Sequence, residues 1–100
     1  MISESSFNKF QGSNGIAISR SVPRSYKGER CLALAPSWNL LNDYKSGKVT
    51  DIEYKIRFYD EVLSKLNKEK VRSALDGKVL LCWEDSGFCH RFLVLQWLKE

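Results

Sequence analysis

The stretch Lys78-Val79-Leu80-Leu81-Cys82-Trp83 decides the fold class of this 100-residue chain. It is a continuous apolar run with turn-forming residues on both sides, Gly77 before it and Glu84-Asp85-Ser86-Gly87 after it. This length and this Val, Leu and Trp content predict a central strand of a parallel sheet, covered on both faces. Residues 89–98 follow with apolar side chains on a broad helical face. A buried strand that leads into a helix is typical of an α/β protein.

Three helices are predicted upstream of this strand from their N-terminal caps. Thr50 and Glu53 match a capping box, in which each side chain accepts a hydrogen bond from the other residue's backbone N–H. Ser37 predicts the start of an earlier helix, and Asn67 predicts the start of a later helix over about residues 68–75. Apolar residues at helical spacing predict the buried face of the helix after Thr50. These residues are Ile52, Ile56, Tyr59, Leu63 and Leu66, widened by Tyr54, Phe58 and Val62.

The first third of the chain supplies the remaining strands. Residues 15–19 (GIAIS) predict a short buried strand that ends before Pro23, and residues 31–35 are a candidate further strand. Residues 1–14 form a polar N-terminal segment with no predicted element. We therefore expect a single domain over residues 1–100, a small three-layer Rossmann-like α/β domain with a mostly parallel sheet of few strands.

Charge and cysteine content restrict the partners and the compartment. Residues 1–50 hold seven Lys/Arg against three Asp/Glu, whereas residues 51–100 hold nine of each, so the net charge of +4 lies in the first half. Four cations between residues 20 and 30 favour an anionic partner such as a phosphate, a nucleotide or a nucleic acid, or they form a solvated loop. Three cysteines, an odd number, are usual in a reducing compartment. The chain has neither a membrane-length apolar run nor a signal-peptide pattern at its start, so we expect a cytoplasmic protein.

Polar side chains follow both predicted strands, where an open α/β sheet binds its ligands. Arg20 follows the first strand and Arg91 follows the second. The carboxyl ends of parallel strands share one edge, so the two guanidinium groups are expected to converge on one anion, which they bind through paired donors. The predicted ligand-binding residues are Arg20, Ser21, Tyr26, Trp38, Cys89 and Arg91.

Glu84 and His90 are the candidate catalytic residues, because a carboxylate and an imidazole at one rim can act as general acid and base. The structural alternative is that Glu84, Asp85 and Arg91 form a helix-capping salt bridge and that His90 bonds the backbone. Cys89, at the start of a predicted helix beside His90, is either a nucleophile or a packed thiol.

The cysteine spacing does not favour a metal site. Six residues separate Cys82 from Cys89, which is not the knuckle spacing of zinc sites, and Cys31 would have to complete the ligand set. The sequence also lacks a glycine-rich phosphate loop and a dinucleotide fingerprint. We therefore predict no metal and no cofactor.

Two segments carry a resemblance to a known family. The residues from Val79 to Glu84 and from Phe88 to Arg91 resemble the signature of domain-of-unknown-function family 488, in which a strand ending in Leu-Cys-x-Glu precedes a helix that opens with Cys-His-Arg. Residues 19–24 (SRSVPR) are similar to the family's upstream strand end, although Ser-Arg replaces the Asp-Val-Arg of longer members. Residues 34–38 (LAPSW) resemble its shorter, single-domain members. The resemblance covers about residues 15–98 and implies the fold and the site location, whereas the family has no agreed activity.

These observations lead to three functional hypotheses. The first is a domain that binds a small anionic ligand, nucleotide- or nucleoside-like, at the carboxyl edge of its sheet. The second is a nucleic-acid-binding protein that uses the basic loop at residues 20–30, for which affinity would fall steeply with salt. The third is a hydrolase- or glycosidase-like enzyme that uses Glu84 and His90, for which Glu84→Gln would abolish turnover. Whether any reaction is catalysed is not determined by the sequence.

Overall fold

The computed structural model describes residues 1–83 and 89–100. Four strands and four helices follow each other along these residues: β1 Ser3–Ser6, β2 Gly15–Ala17, β3 Glu29–Arg30, α1 Trp38–Lys45, α2 Asp51–Glu61, α3 Lys68–Leu75, β4 Val79–Cys82 and α4 His90–Lys99. Short 3₁₀ turns lie at Leu32–Leu34 and Leu63–Lys65. Among the described residues, no helix combines the length and the apolar character that crossing a membrane requires.

The four strands form one sheet in the order β1-β4-β2-β3, and every neighbouring pair is parallel. Strand β4 is central, as its continuous apolar sequence predicts, with Leu80 opposite Glu4 of β1 and Ile16 of β2. A strand in this position is paired along both edges and covered on both faces, which leaves little room for polar side chains. The predicted α/β domain with a parallel sheet is confirmed.

The strand order explains why helices and loops lie on different faces of the sheet. The connections from β1 to β2 and from β2 to β3 advance across the sheet in one direction, whereas the connection from β3 to β4 runs back in the other. Parallel crossovers are right-handed, so opposite directions place their connections on opposite faces. The two forward connections are short loops, and the returning connection carries α1, α2 and α3.

The helical face holds the main hydrophobic core. Ile16 of β2, Ile18 directly after β2 and Leu80 of β4 project onto this face, because alternate residues of an extended chain point the same way. Each helix adds buried side chains to the same core, chiefly Leu40 of α1, Tyr54 and Phe58 of α2, Leu75 of α3, and Leu93, Val94, Trp97 and Leu98 of α4.

The opposite face is covered by aromatic side chains of the two loops. Leu81 of β4 is buried there, and a Cβ added to Gly15 would meet both Leu81 and Phe10. Phe7 makes edge-on contacts with Tyr26 and Trp83, with ring centroids 5.2 Å and 5.4 Å apart. The sheet therefore lies between a layer of helices and a layer of loop aromatics.

Two strands differ from the sequence predictions. The polar segment at residues 1–14 contains strand β1, which β4 holds at the sheet edge by backbone pairing, a contact that requires no apolar side chain. The predicted strand at residues 31–35 is wrong. The strand there is β3, at Glu29–Arg30, and residues 32–34 form a 3₁₀ turn that buries Leu34.

The helix caps are confirmed, and the predicted buried face of α2 is confirmed except at Ile52 and Ile56. Thr50 and Glu53 make both bonds of the capping box, and Ser37 and Asn67 cap α1 and α3. The buried face of α2 consists of Tyr54 and Phe58, continued by Val62, whereas Ile52 and Ile56 are 72% and 64% exposed. The helix carries two neighbouring apolar stripes, and the aromatic stripe faces the core because it buries more surface.

Candidate functional site

A cavity of about 750 Å³ opens at the carboxyl ends of β2 and β4. Residues after β2, one side of α1 along its whole length, one residue of α2, the end of β4 and the start of α4 contribute to it. Its lining consists of Ser19, Arg20, Ser21, Pro36, Trp38, Leu41, Tyr44, Lys45, Tyr54, Cys82, Trp83, Cys89 and His90. This volume is within the range of ligand sites, and the position is the one that open α/β sheets use.

Arg20 is the better fixed of the two cations on the cavity wall. Its Nε donates a hydrogen bond of 3.0 Å to the carbonyl of Pro36, and its own carbonyl accepts one from Arg30. The bond to Pro36 uses one of the five N–H donors of the guanidinium. Lys45, near the end of α1, is the second cation on the wall.

Aromatic rings form much of the remaining wall. Trp38 and Trp83 are 55% and 49% exposed, which is unusual for so large an apolar side chain. The indole N–H of Trp83 donates to the carbonyl of Ser21 at 2.9 Å, so this ring is held in place. Tyr44 packs edge-on against Tyr54 with ring centroids 5.1 Å apart.

The floor of the cavity brings together two thiols and an imidazole. The sulfur atoms of Cys82 and Cys89 lie 3.8 Å and 3.7 Å from Nδ1 of His90, and all three residues are buried. The other ring nitrogen, Nε2, lies 2.8 Å from the carbonyl oxygen of Ile18. Because a carbonyl only accepts, Nε2 donates, and in the neutral ring the lone pair is therefore on Nδ1.

The pKa of the Cys89 thiol is lowered to about 5 by this environment. The hydrogen bond with Cys82 is the largest cause, His90 and the backbone N–H of Arg91 lower the pKa further, and burial opposes them. A thiol with such a pKa is a thiolate at neutral pH, which is the reactive and metal-binding form.

Arg91 lies elsewhere, which corrects the expectation that Arg20 and Arg91 converge. Its Nε donates to the Glu4 carboxylate of β1 at 2.6 Å, and the residue is 2% exposed. Burial by itself would lower the pKa of Arg91, but the hydrogen bond to Glu4 raises the pKa above its ordinary value. The side chain of Arg91 thus ties α4 to the sheet edge. Glu84, the structural partner that the sequence suggests for Arg91, lies outside the described residues, and among the described residues Glu4 forms an ion pair with Arg91.

The other predicted ligand-binding and catalytic residues are divided between the cavity and the loop face of the sheet. Ser21, Trp38, Cys89 and His90 lie on the cavity, as Arg20 does. Tyr26 lies on the loop face, where its hydroxyl donates to the carbonyl of Glu29 and its ring lines a separate cavity of about 330 Å³. Glu84 lies outside the described residues.

Residues 11–100 match the family model DUF488-N3a, described as the active DUF488-N3 subclade. The chain belongs to the DUF488 family. The resemblance stated from the Leu-Cys-x-Glu and Cys-His-Arg segments is thereby confirmed over a slightly longer range. No curated protein and no solved structure matches the chain significantly.

The DUF488 cavity also contains residues that the sequence did not assign to a site. These are Cys82, which belongs to the predicted central strand, and Tyr44, Lys45 and Tyr54, which belong to the helices after Ser37 and Thr50. For Cys82 a signal was present, because the last residue of a central parallel strand lies at the edge where ligands bind. For the three helical residues, the wall position depends on how α1 and α2 pack over that edge.

Proposed function

We propose that this DUF488 domain binds a small anionic ligand with a planar ring, of the nucleotide or nucleoside type, in the cavity at the carboxyl edge. The observation that carries the proposal is the position of Arg20, whose guanidinium is anchored on Pro36 beside the exposed rings of Trp38 and Trp83. A guanidinium fits a phosphate or carboxylate, and an indole provides a surface on which a base can stack.

The thiol and imidazole groups of the floor favour a reaction at this cavity over binding alone. A ligand ring between the tryptophans would place its polar end near Cys89 and His90, the groups best suited to donate or accept protons there. The description of the matching subclade as active agrees with an enzyme. The hydrolase-like mechanism with Glu84 and His90 stays a prediction, in which His90 would act through Nδ1, since Nε2 is bonded to Ile18.

Binding of nucleoside monophosphates tests the proposal. The fluorescence of Trp38 and Trp83 should change when AMP, GMP, CMP or UMP enters the cavity, whereas Trp97 is buried in the core and serves as a constant background. We expect the matching nucleoside, which lacks the anion, to bind at least about tenfold more weakly, a difference of about 1.4 kcal/mol.

Two conservative variants identify the anion-binding residue. Arg20→Lys should weaken nucleotide binding about tenfold, because an ammonium cannot supply paired donors. Arg24→Lys is the matched control, an exposed arginine of the same loop outside the cavity lining, and should change affinity less than about twofold. Equal affinity for nucleoside and nucleotide, or an unchanged affinity in Arg20→Lys, would contradict the proposal.

Nucleic-acid binding is the second candidate, because Arg24 and Lys27 are exposed in the loop that follows Arg20, and Arg30 is exposed in strand β3 at the end of that loop. For a single-stranded oligonucleotide, the logarithm of affinity should fall in proportion to the logarithm of salt concentration, and Lys27→Ala should reduce the slope by about 1. If the mononucleotides bind with little salt dependence and the oligonucleotide binds no more tightly, the small-ligand proposal is favoured.

A further inference from the structure

We propose that Cys82, Cys89 and His90 form a binding site for one thiophilic divalent metal ion of the zinc type. The three residues would supply two sulfur ligands and one nitrogen ligand, and the fourth coordination position would face the cavity. This inference goes beyond the proposed ligand and does not depend on it, because it rests on the three side chains alone.

The spacing of the three donor atoms fits a tetrahedral ion. With a zinc–sulfur bond of about 2.3 Å and a zinc–nitrogen bond of about 2.0–2.1 Å, tetrahedral angles separate sulfur and nitrogen by about 3.6 Å. The observed distances from Nδ1 of His90 are 3.8 Å to Cys82 and 3.7 Å to Cys89, and all three donor atoms lie within 4.8 Å of one another. Two sulfurs on one tetrahedral ion lie about 3.8 Å apart, so the sulfurs of Cys82 and Cys89 would approach each other by at most about 1 Å, and each sulfur–nitrogen distance would shorten by about 0.1–0.2 Å.

The backbone carbonyl of Ile18 prepares His90 for this role. It accepts a hydrogen bond from Nε2 at 2.8 Å, which fixes the ring orientation and leaves the Nδ1 lone pair directed at both sulfurs. A histidine that binds a metal through one nitrogen typically donates its other N–H to a carbonyl or carboxylate, and this outer contact orients the ligand. The arrangement therefore contains the second contact that such a histidine needs.

Charge balance favours a divalent ion at this depth. Two thiolates neutralise two positive charges, so the loaded site is neutral, and any thiol that is protonated before binding releases its proton to water. Cys82, Cys89 and His90 are 3%, 3% and 5% exposed, a position where an unbalanced charge would be costly. Two sulfurs and one imidazole select zinc-type ions over magnesium and calcium, which take oxygen ligands.

The ligand set also bears on the kind of zinc site that would form. Within residues 1–83 and 89–100, three side chains can bind the ion, all of them on the cavity lining, and the fourth position would face the space where a water molecule or a substrate would lie. Three protein ligands with one open position are the pattern of catalytic zinc sites, where the ion acidifies water or polarises a bound group.

Cobalt(II) is the probe that tests the site, because its absorption reports both geometry and sulfur ligation. The chain is first reduced and treated with a chelator, and its three thiols are counted. It should then bind one Co²⁺ ion. The complex should show sulfur-to-cobalt charge-transfer bands together with the visible absorption bands of a tetrahedral ion. Zn²⁺ should displace the cobalt, since it binds such sites more tightly. Cys82→Ser and Cys89→Ser should each weaken cobalt binding about 100-fold or more.

Cys31→Ser is the matched control, since Cys31 lies outside the cluster and should leave the bands unchanged. If the two serine variants fail to fold, X-ray absorption on the zinc-loaded natural chain decides the question, and the expected first shell contains two sulfurs and one imidazole nitrogen. A reduced chain with three thiols and no charge-transfer band overturns the proposal. So does a first shell without sulfur, or bands that persist in both serine variants.

Discussion

The two faces of the sheet are built in different ways. On one face, Ile16, Ile18 and Leu80 pack under four helices in a continuous core. On the other face, Leu81 is covered by the rings of loop residues, chiefly Phe10 beside Gly15. The length of the connections decides the difference, since the loops after β1 and β2 are too short for a helix, whereas residues 31–78 hold three.

This contrast teaches where polar groups can be buried. The buried ion pair and the thiol–imidazole cluster both lie on the helical face, where α4 meets β1 and β4. Helices have side chains of defined direction, so Arg91 and His90 can be aimed at partners on the sheet. The loop face is instead stabilised by the burial of aromatic side chains. The polar groups of Tyr26 and Trp83 on this face donate hydrogen bonds to backbone carbonyls.

The largest expected effect compares two adjacent leucines of β4. Leu80→Ala should lower the free energy of unfolding by about 3–5 kcal/mol, because it leaves a cavity in the helical core. Leu81→Ala should cost about 2–3 kcal/mol, because Leu81 borders existing space and loop residues can move into the gap. Urea denaturation of both variants provides the measurement. An equal or larger loss for Leu81→Ala would show that the loop face is packed as firmly as the helical one.

The second prediction concerns the ion pair on the helical face. Glu4→Gln should destabilise the protein by about 2–3 kcal/mol, because it removes the negative charge that faces the buried Arg91. The estimate is below that for a fully buried pair, since Glu4 keeps 31% of its side chain exposed.

Glu29→Gln is the control for that prediction. Glu29 pairs with Lys78 but is 60% exposed, so its removal should change stability by less than about 1 kcal/mol. Similar small losses in both variants, measured by the same denaturation, would mean that the buried pair does not anchor α4 to β1.

Gly15→Ala probes the close packing of the loop face and should cost about 1–3 kcal/mol. A Cβ at Gly15 would lie 2.5 Å from Cδ1 of Leu81 and 2.7 Å from a ring carbon of Phe10, so one of them must move. In the Leu81→Ala background the same substitution should cost less, because one of the two clashes is gone. A cost that is unchanged in that background would assign the strain to Phe10 alone.

The smallest effect is expected on the outward side of the helical layer. Ile56→Ala should change stability by less than about 0.5 kcal/mol, because Ile56 is 64% exposed on α2. Thermal denaturation is sufficient to detect the difference. A loss above about 1 kcal/mol would indicate that α2 buries its isoleucine stripe, as the sequence pattern predicted.

Much of the fold could be predicted from local patterns. The capping residues Ser37, Thr50 and Asn67 mark helix starts correctly, because a cap is a bond between residues three apart in the chain. The sequence does not predict strand β1, because its residues, Ser-Glu-Ser-Ser, show no apolar alternation. Its backbone also pairs with β4, whose residues lie more than seventy positions away in the chain.

The sequence by itself determined the central strand β4, the helix caps, the basic loop and the family, since each is written in neighbouring residues. Tertiary structure alone decided that Arg91 pairs with Glu4, 87 positions away, and that the carbonyl of Ile18 holds His90 against two thiols. The physical reason is that such contacts depend on strand register and on helix rotation about its axis. Strand register and helix rotation are fixed by the packing of the whole core. A shift of either by one residue position turns every side chain of that strand or helix in a different direction.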